Sequence, residues 1–188
     1  MPPLSAINAA VGSHVRRVIV AMLSRLPSAS DMWPRRLSLL LIEKEVMRIL
    51  LVEDDPILAL IAASVLEDEG HQIVGPAYDD EQALNLAETQ SADIALVDIN
   101  LAGHDEGISL ARSLLQRYGI ASVFVSGQLE VARSNTDAAL GLLRKPYEPG
   151  DLALSVSIAK AMLDGCPTLP MRLPASLEIF SPGHASDC

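Results

Sequence analysis

Between residues 48 and 163, short blocks of consecutive apolar residues alternate with longer amphipathic stretches. The short blocks end at polar or helix-breaking residues, which is typical of strands that are covered on both faces of a sheet. The longer stretches carry apolar residues at helical spacing. The first of them begins with Asp55 as a capping residue and Pro56 in its first turn. This strict alternation predicts an α/β domain built around a parallel sheet.

The pattern predicts five strands and five helices. The predicted strands are residues 48–52, 72–74, 94–97, 122–125 and 140–143. The first helix is predicted over 56–69, and residues 129–138 are expected to be weakly helical at best. The predicted apolar faces are Ile57, Leu58, Ile61, Val65 and Leu66 for the first helix, and Ile108, Ala111, Leu114 and Leu115 for the third. Crossovers between parallel strands are right-handed, which leaves few topologies. The natural candidate among them is a flavodoxin-like (βα)5 fold: a doubly wound, five-stranded parallel sheet of order 2-1-3-4-5.

The chain divides into three segments. Residues 1–46 form a poorly specified basic extension, 47–163 the α/β domain, and 164–188 a proline-rich segment that we expect to be a flexible tail. Met47 stands directly before the first predicted strand, so either residues 1–46 are a natural extension or Met47 is the natural start.

Composition and charge narrow the class of protein. The hydrophobic fraction of 49% supports a full core, and the aromatic fraction of 3% makes that core aliphatic. The net charge is −10, and residues 47–163 hold seven basic against eighteen acidic residues, which argues against a nucleic-acid-binding surface. No apolar run approaches the ~20 residues that span a bilayer. Two cysteines without metal-ligand spacing agree with a cytoplasmic location.

Polar groups stand at the ends of three predicted strands. Glu53 and Asp54 follow the first strand, Asp98 follows the third, and Lys145 follows the fifth. In parallel sheets, binding and catalytic groups collect at the carboxyl ends of the strands. Three carboxylates and one ammonium at that edge predict a site for a divalent cation and a phosphoryl group.

Four stretches, taken in order, carry a family resemblance. They are residues 49–55 (ILLVEDD), 96–98 (LVD), 123–127 (VFVSG) and 142–146 (LLRKP). Over residues 47–163 the chain resembles the CheY-like receiver domain of bacterial two-component response regulators. The resemblance implies an aspartyl phosphate on Asp98 and Mg²⁺ as cofactor. It assigns Mg²⁺ to Glu53, Asp54, Asp98 and the backbone carbonyl of Asn100.

The same resemblance implies further roles at the site. Ser126 and Lys145 would bind the phosphoryl group and move with it, Asn100 and Gln128 would influence its lifetime, and the Lys145-Pro146 peptide bond would be cis.

Three features depart from the family pattern. The loop from Asp98 reaches Gly107 without the usual proline, Leu142 stands where a switching aromatic residue is common, and the fourth helix is short. His71 and His104 are interpreted as partly exposed loop histidines rather than as phosphorelay groups.

These features predict a single-domain response regulator that is not itself an enzyme. Its partners would be a sensor histidine kinase or phosphotransfer protein and a downstream protein, with no nucleic acid and no membrane. Two alternatives stay open. One is a receiver-fold module that binds its partner without phosphorylation. The other is a metal-dependent phosphohydrolase, which would usually need an acid at the position of Asn100.

Overall fold

The computed structural model describes residues 46–101, 106–165 and 173–180. The strands are β1 (Arg48–Val52), β2 (Gln72–Ala77), β3 (Ile94–Val97), β4 (Ala121–Ser126), β5 (Gly141–Arg144) and β6 (Leu177–Ile179). The helices are α1 (Pro56–Asp68), α2 (Asp80–Thr89), α3 (Glu106–Tyr118), α4 (Leu129–Arg133) and α5 (Pro149–Leu163). Within these ranges, no helix combines the length and apolar character needed to cross a membrane.

The six strands form one sheet in the order β2-β1-β3-β4-β5-β6. The first five are parallel, which confirms the predicted order 2-1-3-4-5. The sheet nevertheless has six strands rather than five, because β6 pairs antiparallel with β5. The predicted tail therefore contains a strand, while 166–172 and 181–188 lie outside the described residues.

Local sequence signals place most element ends where they were predicted. The Asp55 carboxylate accepts hydrogen bonds from the backbone N–H groups of Ile57 and Leu58, at 2.8 and 3.2 Å, and so starts α1. The predicted end of the second strand at residue 74, directly before Gly75-Pro76, was wrong. β2 continues through them to Ala77, with an irregularity in its register against β1.

Two apolar layers cover the two faces of the sheet. One layer joins sheet residues to α2 and α3, and the other joins sheet residues to α1 and α5. Phe124 is fully buried in the first layer, and the buried side chains around it are mostly aliphatic. This core holds the strand ends in place around the polar edge of the sheet.

The predicted apolar face of α1 was partly wrong. Its buried residues are Ala59, Ala62, Ala63 and Leu66, whereas the larger Ile57, Leu58 and Ile61 are exposed. Alanines permit a close approach of helix and sheet, and that contact selects the buried face. On α3, Leu115 is likewise exposed instead of buried.

Candidate functional site

The carboxyl ends of β1, β3 and β5 bring four charged side chains together. The Lys145 ammonium donates hydrogen bonds to Glu53 Oε2 at 2.5 Å and to Asp98 Oδ2 at 2.7 Å. The side chains of Glu53 and Asp98 are 6% and 9% exposed, and that of Lys145 is 22% exposed. These three side chains are therefore mostly buried, and Lys145 is the most exposed of them.

Asp54 completes an acidic cluster beside Glu53 and Asp98. One carboxylate oxygen from each of the three lies within 4.8 Å of the other two. Asp54 is exposed, whereas its two neighbours are buried, so the cluster opens to solvent on one side. Hard carboxylate oxygens with room for waters suit Mg²⁺, which keeps several waters when it binds to proteins. The donor set therefore fits Mg²⁺.

Burial and charge shift two of the site's ionisation equilibria. Burial raises the pKa of Glu53, and the hydrogen bond from Lys145 opposes that rise only in part. Burial by itself would lower the pKa of Lys145, but the hydrogen bonds to Asp98 and Glu53 outweigh it and raise that pKa. Lys145 is therefore a fixed positive charge at neutral pH.

The loop after β3 positions the Asp98 carboxylate. The backbone N–H of Asn100 donates a hydrogen bond to Asp98 Oδ1 at 3.0 Å, while Lys145 holds Oδ2. At Gly107 the chain packs against the backbone of Asp98 and Ile99. A Cβ at this position would lie 2.0 Å from the backbone oxygen of Asp98. Only glycine fits at that position. Residues 102–105, including His104, lie outside the described residues.

Ser126 lies at the same edge of the sheet, at the end of β4. It is buried, and its hydroxyl oxygen accepts a hydrogen bond from the backbone N–H of Gln128 at 3.3 Å. The Gln128 side-chain oxygen is buried and has no hydrogen-bond partner within the described ranges. The backbone N–H of Lys145 donates to the Ser126 carbonyl at 3.1 Å, so the ends of β4 and β5 are joined directly.

The structure also bears on the predictions for the Lys145-Pro146 bond, Leu142 and His71. The Lys145-Pro146 bond is cis, as the resemblance implied. Leu142, at the expected aromatic position, is fully buried. His71 was predicted to be partly exposed and is instead buried, and its Nδ1 accepts a hydrogen bond from the Met47 backbone N–H at 3.2 Å.

Sequence reasoning missed Tyr147. Burial raises the pKa of its hydroxyl, and the charges of Lys145, Glu53 and Asp98 also act on it. Its position two residues after Lys145 was the available signal.

Comparison with known proteins assigns the family. The family model described as the response regulator receiver domain matches residues 49–157, more than half of the chain. The chain belongs to the response regulator receiver domain family. Receiver domains bind Mg²⁺ in an acidic pocket, and the cluster of Glu53, Asp54 and Asp98 fits that pocket.

Individual relatives of this receiver domain include one curated protein and two solved structures. Transcriptional regulatory protein PdtaR of Mycobacterium tuberculosis is 29% identical over 115 residues, which are 60% of this chain and 56% of PdtaR. A CheY-like receiver domain protein from Methanospirillum hungatei has a TM-score of 0.56 and 29% identity, covering 64% of this chain and 96% of that one. The response regulator PhyR from Brucella abortus has a TM-score of 0.57 and 27% identity, covering 64% and 50%. The chain thus spans about half the length of PdtaR and of PhyR.

Proposed function

We propose that this receiver domain accepts a phosphoryl group on Asp98 from a phosphohistidine of a sensor histidine kinase or phosphotransfer protein. The observation that carries the proposal is the Asp98 carboxylate, which contacts Lys145 and lies within the acidic cluster at the open edge of the sheet. The setting proposed is the cytoplasm, where such kinases present their phosphohistidine.

The proposed step exchanges one phosphorus bond for another. A carboxylate oxygen of Asp98 forms a bond to phosphorus as the bond between phosphorus and the histidine nitrogen breaks. Both Asp98 and the phosphoryl group are anionic, so their approach must be neutralised. Glu53, Asp54, Asp98 and the carbonyl of Asn100 would hold Mg²⁺, which would supply positive charge to offset this repulsion. Lys145 adds a second positive charge directly at Asp98.

The exposed apolar surface of α1 is the proposed contact for the donor. Ile57, Leu60 and Ile61 are 67%, 70% and 54% exposed, on a helix that begins two residues after Asp54. Their spacing along the helix places these three on one face, and a contiguous exposed apolar patch is typical of a site of protein contact. A helix of the donor packed on α1 would carry its phosphohistidine toward the acidic cluster.

Ser126 and Lys145 are the proposed sensors of the phosphoryl group. Each would direct a hydrogen-bond donor to a phosphoryl oxygen, and the Ser126 hydroxyl would leave its present contact with Gln128. The resulting shift in population would be read by a downstream protein partner and not by nucleic acid. Receiver domains are generally not enzymes, and we propose that this one is a phosphoacceptor only.

Intact mass after incubation with acetyl phosphate tests the proposal. Wild type with Mg²⁺ should gain one phosphoryl group, whereas wild type without Mg²⁺ and Asp98→Ala with Mg²⁺ should gain little or none. Asp80→Asn, which changes an exposed carboxylate in the first turn of α2, is the matched control and should behave like wild type. Equal uptake by Asp98→Ala and wild type would contradict the proposal.

A phosphorylation-independent binding module is the second candidate. It is favoured by Leu142 at the position of the usual aromatic switch and by an α4 of only five residues. Equal binding of the downstream partner by wild type, phosphorylated wild type and Asp98→Asn would support this second candidate. A phosphohydrolase is less favoured because Asn100 stands where such enzymes usually have an acid, and turnover of a small phosphoester would test it.

A further inference from the structure

The β5 edge of the sheet is occupied by the chain's own C-terminal segment (residues 173–180). Its strand β6 pairs antiparallel with β5, with Gly141 opposite Ile179 and Leu143 opposite Leu177. Outside the ladder, the Arg144 backbone N–H donates to the Ser176 carbonyl at 2.7 Å. At the other end, the Phe180 N–H donates to the Leu140 carbonyl at 2.9 Å. Backbone hydrogen bonds therefore hold the segment at both ends.

Side chains of the C-terminal segment contact both faces of the sheet. Leu177 is buried in the layer beneath α1 and α5, and Phe180 is buried in the opposite layer. Two polar contacts reach the flanking helices. Arg133 of α4 donates to Glu178 Oε2 at 3.0 and 3.1 Å, and the Ser176 hydroxyl donates to an Asp151 carboxylate oxygen of α5 at 2.6 Å. The segment thus covers the β5 edge between α4 and α5.

Gly141 is shaped to receive this segment. A Cβ at this glycine would lie 2.5 Å from the Glu178 carbonyl oxygen, and its three nearest neighbours all belong to Glu178 and Ile179. A side chain at position 141 would therefore push against β6 first. By contrast, a Cβ at Gly150 in α5 would meet nothing within 4 Å. These two glycines form a matched pair for substitution.

Two contacts of the C-terminal segment lead directly to the proposed phosphoryl sensors. Arg144, which holds the Ser176 carbonyl, directly precedes Lys145 in the chain. Arg133, which holds Glu178, lies on the short helix that follows Ser126, whose hydroxyl accepts the Gln128 N–H at 3.3 Å. A movement of Ser126 and Lys145 toward a phosphoryl group would displace Arg144, which holds the start of the segment, and the helix of Arg133, which holds its middle.

We propose that the C-terminal segment is a releasable strand that occupies the β5 edge while Asp98 is unmodified and leaves it when Asp98 is phosphorylated. This inference rests on the proposed function of Asp98. A strand of three residues is a short element, and such elements open at lower free energy than the core of a domain. Release would uncover the backbone of β5 for an extended strand of a partner, which would pair there as β6 does.

Hydrogen exchange of the full chain tests the proposal, with beryllofluoride and Mg²⁺ as the phosphoryl mimic. Exchange is followed at the Arg144 and Phe180 amides, and ¹⁹F NMR of the same sample records occupancy of Asp98. Binding should accelerate exchange at both amides about 5- to 150-fold, the range of typical coupling between sites. Gly141→Ala should show fast exchange without beryllofluoride, whereas Gly150→Ala should match wild type.

The affinity for beryllofluoride is a second measurement, because its binding and the release of the segment are thermodynamically linked. If beryllofluoride releases the segment, then prior release must strengthen beryllofluoride binding by the same factor. Gly141→Ala should therefore bind it more tightly than wild type and Gly150→Ala. Glu178→Gln weakens the contact with Arg133 without crowding the sheet. It should also speed amide exchange and tighten beryllofluoride binding, and it replaces Gly141→Ala in the test if that variant fails to fold.

The outcomes separate the two proposals. Beryllofluoride bound at Asp98 with unchanged or slower exchange at Arg144 and Phe180 would overturn the releasable strand and leave the phosphoacceptor role intact. Absence of bound beryllofluoride, together with no uptake from acetyl phosphate, would overturn the phosphoacceptor role and the release that depends on it.

Discussion

Replacing Lys145 with methionine would leave the acidic cluster without its internal counter-charge. Glu53, Asp54 and Asp98 carry three negative charges and Lys145 one positive charge, so the site has a net charge of −2 when all four groups are ionised. Lys145→Met changes that to −3 while keeping a side chain of similar length. Two of the affected carboxylates are buried and lose a hydrogen bond each.

The expected loss of stability follows from this burial. Removing one partner of a buried ion pair costs about 3–5 kcal/mol, whereas an exposed pair contributes about 0–1 kcal/mol. Glu53 and Asp98 are buried, but Lys145 is 22% exposed and brings the pair near solvent. We therefore expect the free energy of unfolding to fall by about 2–4 kcal/mol in Mg²⁺-free buffer at pH 7.

Added Mg²⁺ and a lower pH should each reduce the stability loss caused by Lys145→Met. Mg²⁺ at about 100 times its dissociation constant stabilises a folded protein by about 2.7 kcal/mol, and the variant's greater negative charge should strengthen that binding. Burial already raises the pKa of Glu53, and loss of Lys145 removes the group that opposes the rise. A carboxylate with a folded-state pKa above its unfolded value binds more protons when folded, so the variant should regain stability relative to wild type from pH 7 to 5.

Urea denaturation of wild type and Lys145→Met, with and without Mg²⁺, measures these differences. Lys160→Met is the matched control, because Lys160 pairs with the more exposed Asp164 at the end of α5 and should cost less than about 1 kcal/mol. A loss for Lys145→Met no greater than that of the control, or a loss that Mg²⁺ does not reduce, would refute this account of the site.

Three further predictions concern the loop, the first helix and the metal. Gly107→Ala should sharply reduce phosphoryl uptake at Asp98 from acetyl phosphate, because its Cβ would displace the loop backbone, whereas Gly150→Ala should leave uptake unchanged. Asp55→Ala should lower the free energy of unfolding by about 1 kcal/mol through loss of the α1 cap, and an unchanged urea midpoint would contradict this. Mg²⁺ affinity measured by calorimetry should begin to fall at a higher pH than an exposed carboxylate would give, since burial raises the pKa of Glu53.

Most of the receiver fold could be predicted because its signals are local. Blocks such as 94–97 are apolar throughout, and Asp55 and Asp79 are capping residues, so strand and helix positions follow from neighbouring residues. Since parallel strands end at one edge of the sheet, the convergence of Glu53, Asp98 and Lys145 could also be predicted.

Burial was harder to predict, because it depends on which face of an element meets the rest of the molecule. The spacing of apolar residues on α1 is compatible with two overlapping buried faces. Only packing against the sheet decides that the alanine face is buried and that Ile57 and Ile61 are exposed. His71 likewise looked like a loop residue, and only the structure places it in a buried position beside the Met47 backbone.

By itself, the sequence determined the alternation of strands and helices and the charged residues at the strand ends, since both depend on local pattern and chain direction. The order of the first five strands followed from the likeness to a flavodoxin-like fold. Only the tertiary structure decided that Lys145 hydrogen-bonds to both buried carboxylates and that residues 173–180 add a sixth strand. The physical reason is the same in both cases, because the contacts join residues that are far apart in the chain. The partners of Lys145 are 92 and 47 residues away. A three-residue strand among prolines has no periodicity of its own, and its partners Gly141 and Arg133 also lie tens of residues away.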